Sequence, residues 1–171
     1  MIFLRNIIFF CNITRRNLTI QMIQIKKGEL FAFWNTYHKC FIKMIATRVT
    51  VSPKKEDGIL PSNWEAEVFL LVDAGYDKVA FWNPYYKCFI KMTGTGVTVS
   101  PVKEDGVLPS NWDSEIFRIE KLNNGKYAFW NPYHKCFIKM TDTGVTVSPK
   151  KEDGVLPSNW NSEMFVASKV M

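Results

Sequence analysis

The sequence lacks any long apolar run, and this absence excludes a simple class of membrane protein. No stretch approaches the ~18 apolar residues that a membrane-spanning helix requires, and the longest one near the start covers residues 7–11. Residues 1–21 also lack the longer apolar centre and small-residue cleavage site of a secretory signal. We therefore predict no transmembrane segment, a tail of uncertain role and a cytoplasmic protein. Secretion is the alternative if the tail acts as a signal, and Met22 is a second possible start.

Residues 22–171 also have only a small excess of positive over negative charge. The net charge is +6. Three of the basic residues, Arg5, Arg15 and Arg16, lie in the tail with no acid beside them, which leaves 19 basic and 16 acidic groups in residues 22–171. Such a balance gives no electrostatic footprint for nucleic acid, so we exclude that partner.

Cysteine is sparse, and its spacing argues against a disulfide framework. Of four cysteines, Cys40, Cys88 and Cys136 lie 48 residues apart. Equivalent thiols around a three-fold axis cannot all pair, so we expect them to be reduced and buried. The close Cys-x-x-Cys spacing of strong metal motifs is missing. His38 and His134 precede two of these cysteines, but Tyr86 takes that place in the middle copy, so we predict no metal.

Sequence motifs of the common catalytic sites are missing as well. The chain has no nucleophile elbow, no phosphate-binding glycine loop and no zinc-protease helix motif. Glu56 and Asp57 are adjacent carboxylates in a polar loop, which is not the arrangement of an acid/base pair. We predict a protein that is not an enzyme and needs no cofactor.

What the chain does have is one unit repeated three times with a period of 48 residues. The copies match over 33–69, 81–117 and 129–165; the second and third differ at 5 of 37 positions, and the first and third at 8. The connectors are different, because 70–80 and 118–128 share a Lys and an Ala over 11 positions. Periodicity on this scale predicts a repeat architecture.

Each copy has the pattern of four short strands. In the second copy we predict strands at residues 79–82, 87–92, 97–99 and about 116–119. Alternation places Cys88, Ile90 and Met92 on the core face and Phe89 on the opposite face. The residues expected to be buried, with their counterparts 48 residues away, are Phe81, Ile90, Met92, Val97, Val99, Trp112 and Phe117.

Three four-stranded units predict an all-β domain that closes as a β-trefoil, a barrel capped by three hairpins with pseudo-three-fold symmetry. Three units are too few for a propeller of ~4–8 blades. A linear β-solenoid is the competing architecture, but it usually has shorter coils without long proline-bounded loops. We place the domain at residues 22–171, with repeats at about 22–69, 70–117 and 118–171.

The second copy carries the segments VAFWNPYYKCFIKM, GVTVSP and NWDSEIF, which resemble the fascin-like, actin-crosslinking group of β-trefoils. The resemblance covers about residues 22–171 and implies a trefoil that binds filamentous actin. The chain departs from that group in the spacing around Trp112 and in having one trefoil where fascins join several. The Gln-x-Trp signature of ricin-type lectins is missing from all three copies.

Two sets of repeated side chains are candidates for ligand binding. An aromatic ring can stack on a sugar while a neighbouring amide bonds its hydroxyls; such pairs are Trp34 and Asn35, Trp82 and Asn83, and Trp130 and Asn131. The second set is charged and lies in the long loop: Lys55 and Asp57, Lys103 and Asp105, and Lys151 and Asp153. The alternative interpretation is that the tryptophans pack beneath a loop and that the charged residues form solvated turns.

These patterns together predict a monomeric, non-catalytic binding module. Its fascin-like features imply filamentous actin as the partner. The alternative is a multivalent carbohydrate-binding module with three equivalent sites, since linked sites gain avidity without new contacts.

Overall fold

The computed structural model describes residues 24–171, which form twelve strands. The strands are β1 (Leu30–Asn35), β2 (Cys40–Ile45), β3 (Arg48–Val51), β4 (Phe69–Asp73), β5 (Lys78–Asn83), β6 (Cys88–Met92), β7 (Val97–Val99), β8 (Phe117–Lys121), β9 (Tyr127–Asn131), β10 (Cys136–Met140), β11 (Val145–Val147) and β12 (Phe165–Lys169). A short 3-10 helix precedes each fourth strand, at Glu65–Glu67, Asp113–Glu115 and Asn161–Glu163. The predictions for residues 1–21 and for Met22 lie outside the described residues.

Six of these strands close into a barrel. β1 pairs with β12 and β4, β5 pairs with β4 and β8, and β9 pairs with β8 and β12, all antiparallel. The other six form the hairpins β2–β3, β6–β7 and β10–β11, which continue from β1, β5 and β9. A six-stranded barrel capped by three hairpins is the predicted β-trefoil.

The fourth strands of the first and second units reach past the approximate repeat boundaries. β4 begins at Phe69 and ends at Asp73, so the first structural unit extends beyond residue 69. This strand then pairs with β5 of the next copy. The fourth strands therefore form the contacts between consecutive copies, and their outward-facing side chains lie beside the next copy's long loop.

Phenylalanines fill the centre of the barrel. Phe33, Phe81 and Phe129 are fully buried, and their rings meet edge to face with centroids 5.4, 4.9 and 4.9 Å apart. Edge-to-face pairs contribute about 0.5–1.5 kcal/mol beyond the burial of their area. Ile90 and Met92 are also fully buried in this core, which confirms the predicted core face of β6.

Phe89, on the opposite face of β6, is buried as well, although alternation predicted that this face would lie outside the core. Phe89 is fully buried in a second cluster with Trp82, and the ring of Trp112 packs against it with centroids 6.2 Å apart. The long loop covers this face. Conversely, Val97, Val99 and Trp112 are half-buried where full burial was expected, because they pack at the edges of these clusters.

The three repeated cysteines are free and buried, as the spacing predicted. Each thiol donates to a nearby carbonyl, for example Cys88 Sγ to Tyr86 O at 3.3 Å, and burial raises the pKa of Cys88. Between residues 24 and 171, no three His, Cys, Asp or Glu side chains gather as a metal ion would require. That part of the chain also contains no helix long and apolar enough to cross a bilayer.

Candidate functional site

The repeated asparagines join neighbouring copies in the protein interior. Asn131 is fully buried, and its amide nitrogen donates to the carbonyl oxygens of Asp113, Ser114 and Ile116 at 3.1, 3.2 and 2.9 Å. Its Oδ1 accepts from His134 N at 2.8 Å. These bonds hold the 3-10 helix of the second copy against the turn of the third.

Asn83 and Asn35 are bound in the same way. Asn83 donates to carbonyls of the first copy's 3-10 segment, and Asn35 donates to Asn161 O and Met164 O of the third copy, both at 3.0 Å. Both amides are fully buried. We assign all three asparagines a structural role in place of the predicted contact with a sugar, because their polar atoms already bond backbone groups.

The repeated tryptophans pack beneath the long loop. The indole nitrogen of Trp82 donates to Lys103 O at 3.0 Å. Gly106, with φ +63°, lies directly on the ring, so that an added Cβ would stand 3.1 Å from Trp82 Cδ2. Trp82 and Trp130 are 9% and 6% exposed, whereas Trp34 is only half-buried. The geometry agrees with the packing interpretation, and least completely in the first copy.

The charged loop residues lie on the surface and bond within their own turns. Asp105 Oδ1 accepts from Val107 N at 3.0 Å, and this bond lowers the pKa of the carboxyl. The ammonium nitrogen of Lys103 lies 3.5 Å from Asp105 Oδ1. The pairs Lys55–Asp57 and Lys151–Asp153 repeat this arrangement at 3.5 and 3.4 Å. Their part in ligand binding stays a prediction.

The three copies differ where each long loop meets the fourth strand of another copy. We call these surfaces junctions: the first joins the loop of the first copy to β12, the second joins the loop of the second copy to β4, and the third joins the loop of the third copy to β8. At each junction two outward-facing residues of the strand lie opposite the Trp and the Ala of the barrel strand. Those two residues decide how completely the junction is filled.

Aliphatic side chains fill the second junction. Leu70 lies opposite Trp82 and Val72 lies opposite Ala80. Both pack into the cluster of the second copy, together with Leu108 from the long loop. The space between strand and loop is therefore occupied by apolar side chains.

Two charged side chains, Arg118 and Glu120, fill the third junction instead. The guanidinium carbon of Arg118 lies 4.5 Å from the centroid of the Trp130 ring, and the same side chain donates to Gly154 O. A cation over an indole stabilises by about 0.5–2 kcal/mol. Glu120, opposite Ala128, accepts from Leu156 N at 3.2 Å. These contacts hold the loop down, and Leu156 is buried.

The first junction is open because its two strand residues are short. Val166 lies opposite Trp34 and Ser168 lies opposite Ala32. Trp34 is half-buried here, whereas Trp82 and Trp130 at the other two junctions are buried. A cleft of about 860 Å³ occupies this position.

The cleft has a polar mouth and an apolar floor. Exposed lining residues include Ser62, Glu65, Tyr85 and Lys169, beside the apolar Ile59 and Met171. Half-buried apolar residues lie deeper: Leu30, Leu60, Trp64, Val68, Pro84 and Val170. Exposed carboxylate, hydroxyl and aromatic groups above an apolar base are the usual contents of a small-molecule site.

Sequence reasoning missed the main aromatic of this site. Tyr85 is 61% exposed, and its ring meets Tyr86 edge to face at 4.9 Å. Its counterparts Tyr37 and Tyr133 are equally exposed. The signal was an aromatic residue within the turn that follows the first strand of every copy. Ser168 gave no such signal, since it lies in a divergent segment far along the chain from the loop that it faces.

Comparison with known proteins relates the chain to a lectin by fold. No family model matches the sequence, and no curated protein matches it either. Among solved structures, the chain is similar to a Polyporus squamosus lectin, bound in its crystal to the human-type influenza-binding epitope Neu5Acα2-6Galβ1-4GlcNAc, with a TM-score of 0.63 and 14% identity. The match covers 85% of this chain and 50% of the lectin chain, so this chain spans half the length of that relative. At this identity the likeness establishes the β-trefoil fold, and the fascin-like subgroup is not confirmed.

Proposed function

We propose that the protein is a non-catalytic carbohydrate-binding module and that its ligand occupies the cleft of the first junction. The single observation that carries this proposal is the open cleft itself, where exposed Tyr85 and half-buried Trp64 lie beside Glu65, Ser62 and Ser168. An aromatic face next to acceptors and hydroxyls suits a sugar ring. The shared fold with a lectin supports the same class of ligand.

One open junction favours one principal site over the three equivalent sites that the repeats suggested. The second and third junctions are occupied by their own side chains: Leu70 and Val72 at the second, and Arg118 and Glu120 at the third. The repeat therefore provides a matched comparison within one molecule. Tyr85 lines the cleft, whereas its counterpart Tyr133 is similarly exposed, does not line the cleft and meets the ring of His134 where Tyr85 meets Tyr86.

A glycan array followed by titration calorimetry tests the proposal. Tyr85→Ala should weaken binding of an array-positive sugar about tenfold, which corresponds to roughly 1.4 kcal/mol, while Tyr133→Ala should change it less than about twofold. The stoichiometry should be one sugar per chain. Equal losses in both variants, or an array without any positive sugar, would count against the proposal.

The resemblance to fascin-like trefoils supports a second proposal, binding of filamentous actin by a cytoplasmic monomer. Co-sedimentation of the protein with actin filaments tests it directly. Recovery of the protein in the filament pellet at micromolar concentration would support this function, and its retention in the supernatant would refute it.

A further inference from the structure

We propose that the cleft takes an amphipathic glycoside, a sugar that carries an apolar substituent, with the substituent on the floor and the sugar at the mouth. This inference rests on the proposed function, since it concerns the ligand of the same cleft. The depth at which polar and apolar side chains lie in the cleft supports it.

The floor is poorly suited to a bare sugar. Its half-buried residues Leu30, Val68 and Val170 offer aliphatic side chains beside the hydroxyl of Ser168, and the Val170 backbone N–H already bonds Leu30 O at 2.9 Å. A sugar hydroxyl buried against these aliphatic side chains would lose its bonds to water without replacement, which costs free energy. An alkyl or aryl group has no hydrogen bonds to water to lose, and its transfer from water to this apolar surface is favourable.

The mouth offers what the floor lacks. Ser62 and Glu65 are exposed on the loop side, and Tyr85 projects from the turn of the next copy. Lys169 lies on β12 and pairs with Glu29 at 2.8 Å, which keeps a charged pair near the opening. Hydroxyls held at this level keep access to water and to these polar groups. A cleft of about 860 Å³ also lies in the size range of pockets that hold drug-sized ligands.

Leu30 makes the apolar floor specific to the first copy. The equivalent residues in the other copies are Lys78 and Lys126, and Lys126 Nζ donates to Thr36 Oγ1 at 2.8 Å. The chain therefore tolerates lysine at this position of the barrel. Leu30→Lys is a substitution that removes the apolar floor with a residue the fold already accepts twice.

The test compares methyl and n-octyl β-glycosides of glucose, galactose, mannose and N-acetylglucosamine, by calorimetry on the full chain below the micelle concentration. For the preferred sugar, the octyl glycoside should bind at least ~10-fold more tightly than the methyl glycoside. Leu30→Lys should remove that gain, so that the octyl glycoside binds no more tightly than the methyl glycoside does to the same variant. Leu60→Ser is a second floor variant, and Lys78→Leu is the matched control that should change neither ligand.

Each other outcome has a definite meaning. Equal binding of methyl and octyl glycosides would overturn this inference and leave the carbohydrate-binding proposal standing. A gain that survives both floor variants would also overturn it, because the substituent would then lie elsewhere. If an octyl tetraethylene glycol ether, which has no sugar, binds as tightly as the octyl glycosides, both the inference and the proposed function are wrong.

Discussion

Ser168 lies directly opposite Ala32 in the β1–β12 pair, at the position where Val72 faces Ala80 and Glu120 faces Ala128. Three nearly identical copies thus meet three different strands. The serine is the smallest of the three residues, and the cleft opens beside it.

Filling the first junction like the third should abolish binding. In the double variant Val166→Arg and Ser168→Glu, the arginine can lie over Trp34 and the glutamate can accept from the loop, as Arg118 and Glu120 do. We expect at least a tenfold loss of affinity for an array-positive sugar, measured by calorimetry, with unchanged or slightly higher thermal stability. Retained affinity in a folded double variant would place the ligand outside this cleft.

Truncating the barrel core should cost far more stability than truncating the loop. Ile90 is fully buried in the main core, so Ile90→Ala should lower the free energy of unfolding by about 2–5 kcal/mol. Val107→Ala removes an exposed aliphatic group from the long loop and should change it by less than about 0.5 kcal/mol. Urea denaturation measures both, and comparable effects would contradict the described packing.

Asn131→Ala should destabilise the contact between the second and third copies. Removal of the amide leaves the partly buried carbonyls of Asp113, Ser114 and Ile116 without this donor. An acceptor left without a partner costs about 1–3 kcal/mol, and less where a water molecule replaces the amide. The exposed Asn111→Ala is the control and should be near neutral in the same urea titration. A neutral Asn131→Ala would refute the structural role and reopen the sugar contact.

Glu115 should make stability fall as the pH rises above the ordinary range of a glutamate. Burial raises the pKa of this carboxyl, and Lys91, 3.7 Å away, only partly offsets the effect. The contribution of Glu115 to the free energy of unfolding is therefore complete below about pH 4.5, the pKa of the carboxyl in the unfolded chain. It is lost as the pH rises through the higher pKa of the folded state. Relative to the wild type, Glu115→Gln should gain stability across that window.

The measurement is a series of urea titrations from about pH 4 to pH 8. The exposed Glu104→Gln serves as the control and should run parallel to the wild type, because the side chain of Glu104 lies in solvent. A Glu115→Gln curve that also runs parallel would show that the carboxyl does not titrate differently in the folded state.

The period of 48 residues and the alternation in β6 were enough to predict the barrel, because Ile90, Met92 and the phenylalanines face inward wherever such strands pair. Phe89 does not follow this rule, because the long loop covers the second face of β6 and buries its side chain. The site was harder to predict. Val166 and Ser168 face a loop more than a hundred residues earlier because the barrel closes through β12 and β1. Their significance depends on how Leu70 and Arg118 fill the other junctions.

The close agreement of the copies has a consequence for how the chain reaches its native order. Phe81 and Phe129 occupy equivalent places, and the segments around them differ at 5 of 37 positions, so either segment could dock in the other's place and still complete the aromatic centre. Misassembly of this kind is a characteristic failure of repeat proteins. The fourth strands carry the differences that distinguish correct from incorrect neighbours. Arg118 lies over the Trp130 ring and donates a hydrogen bond to Gly154 O, whereas Leu70 packs against the cluster that contains Trp82. The divergent fourth strands therefore favour the correct order of the three copies during folding.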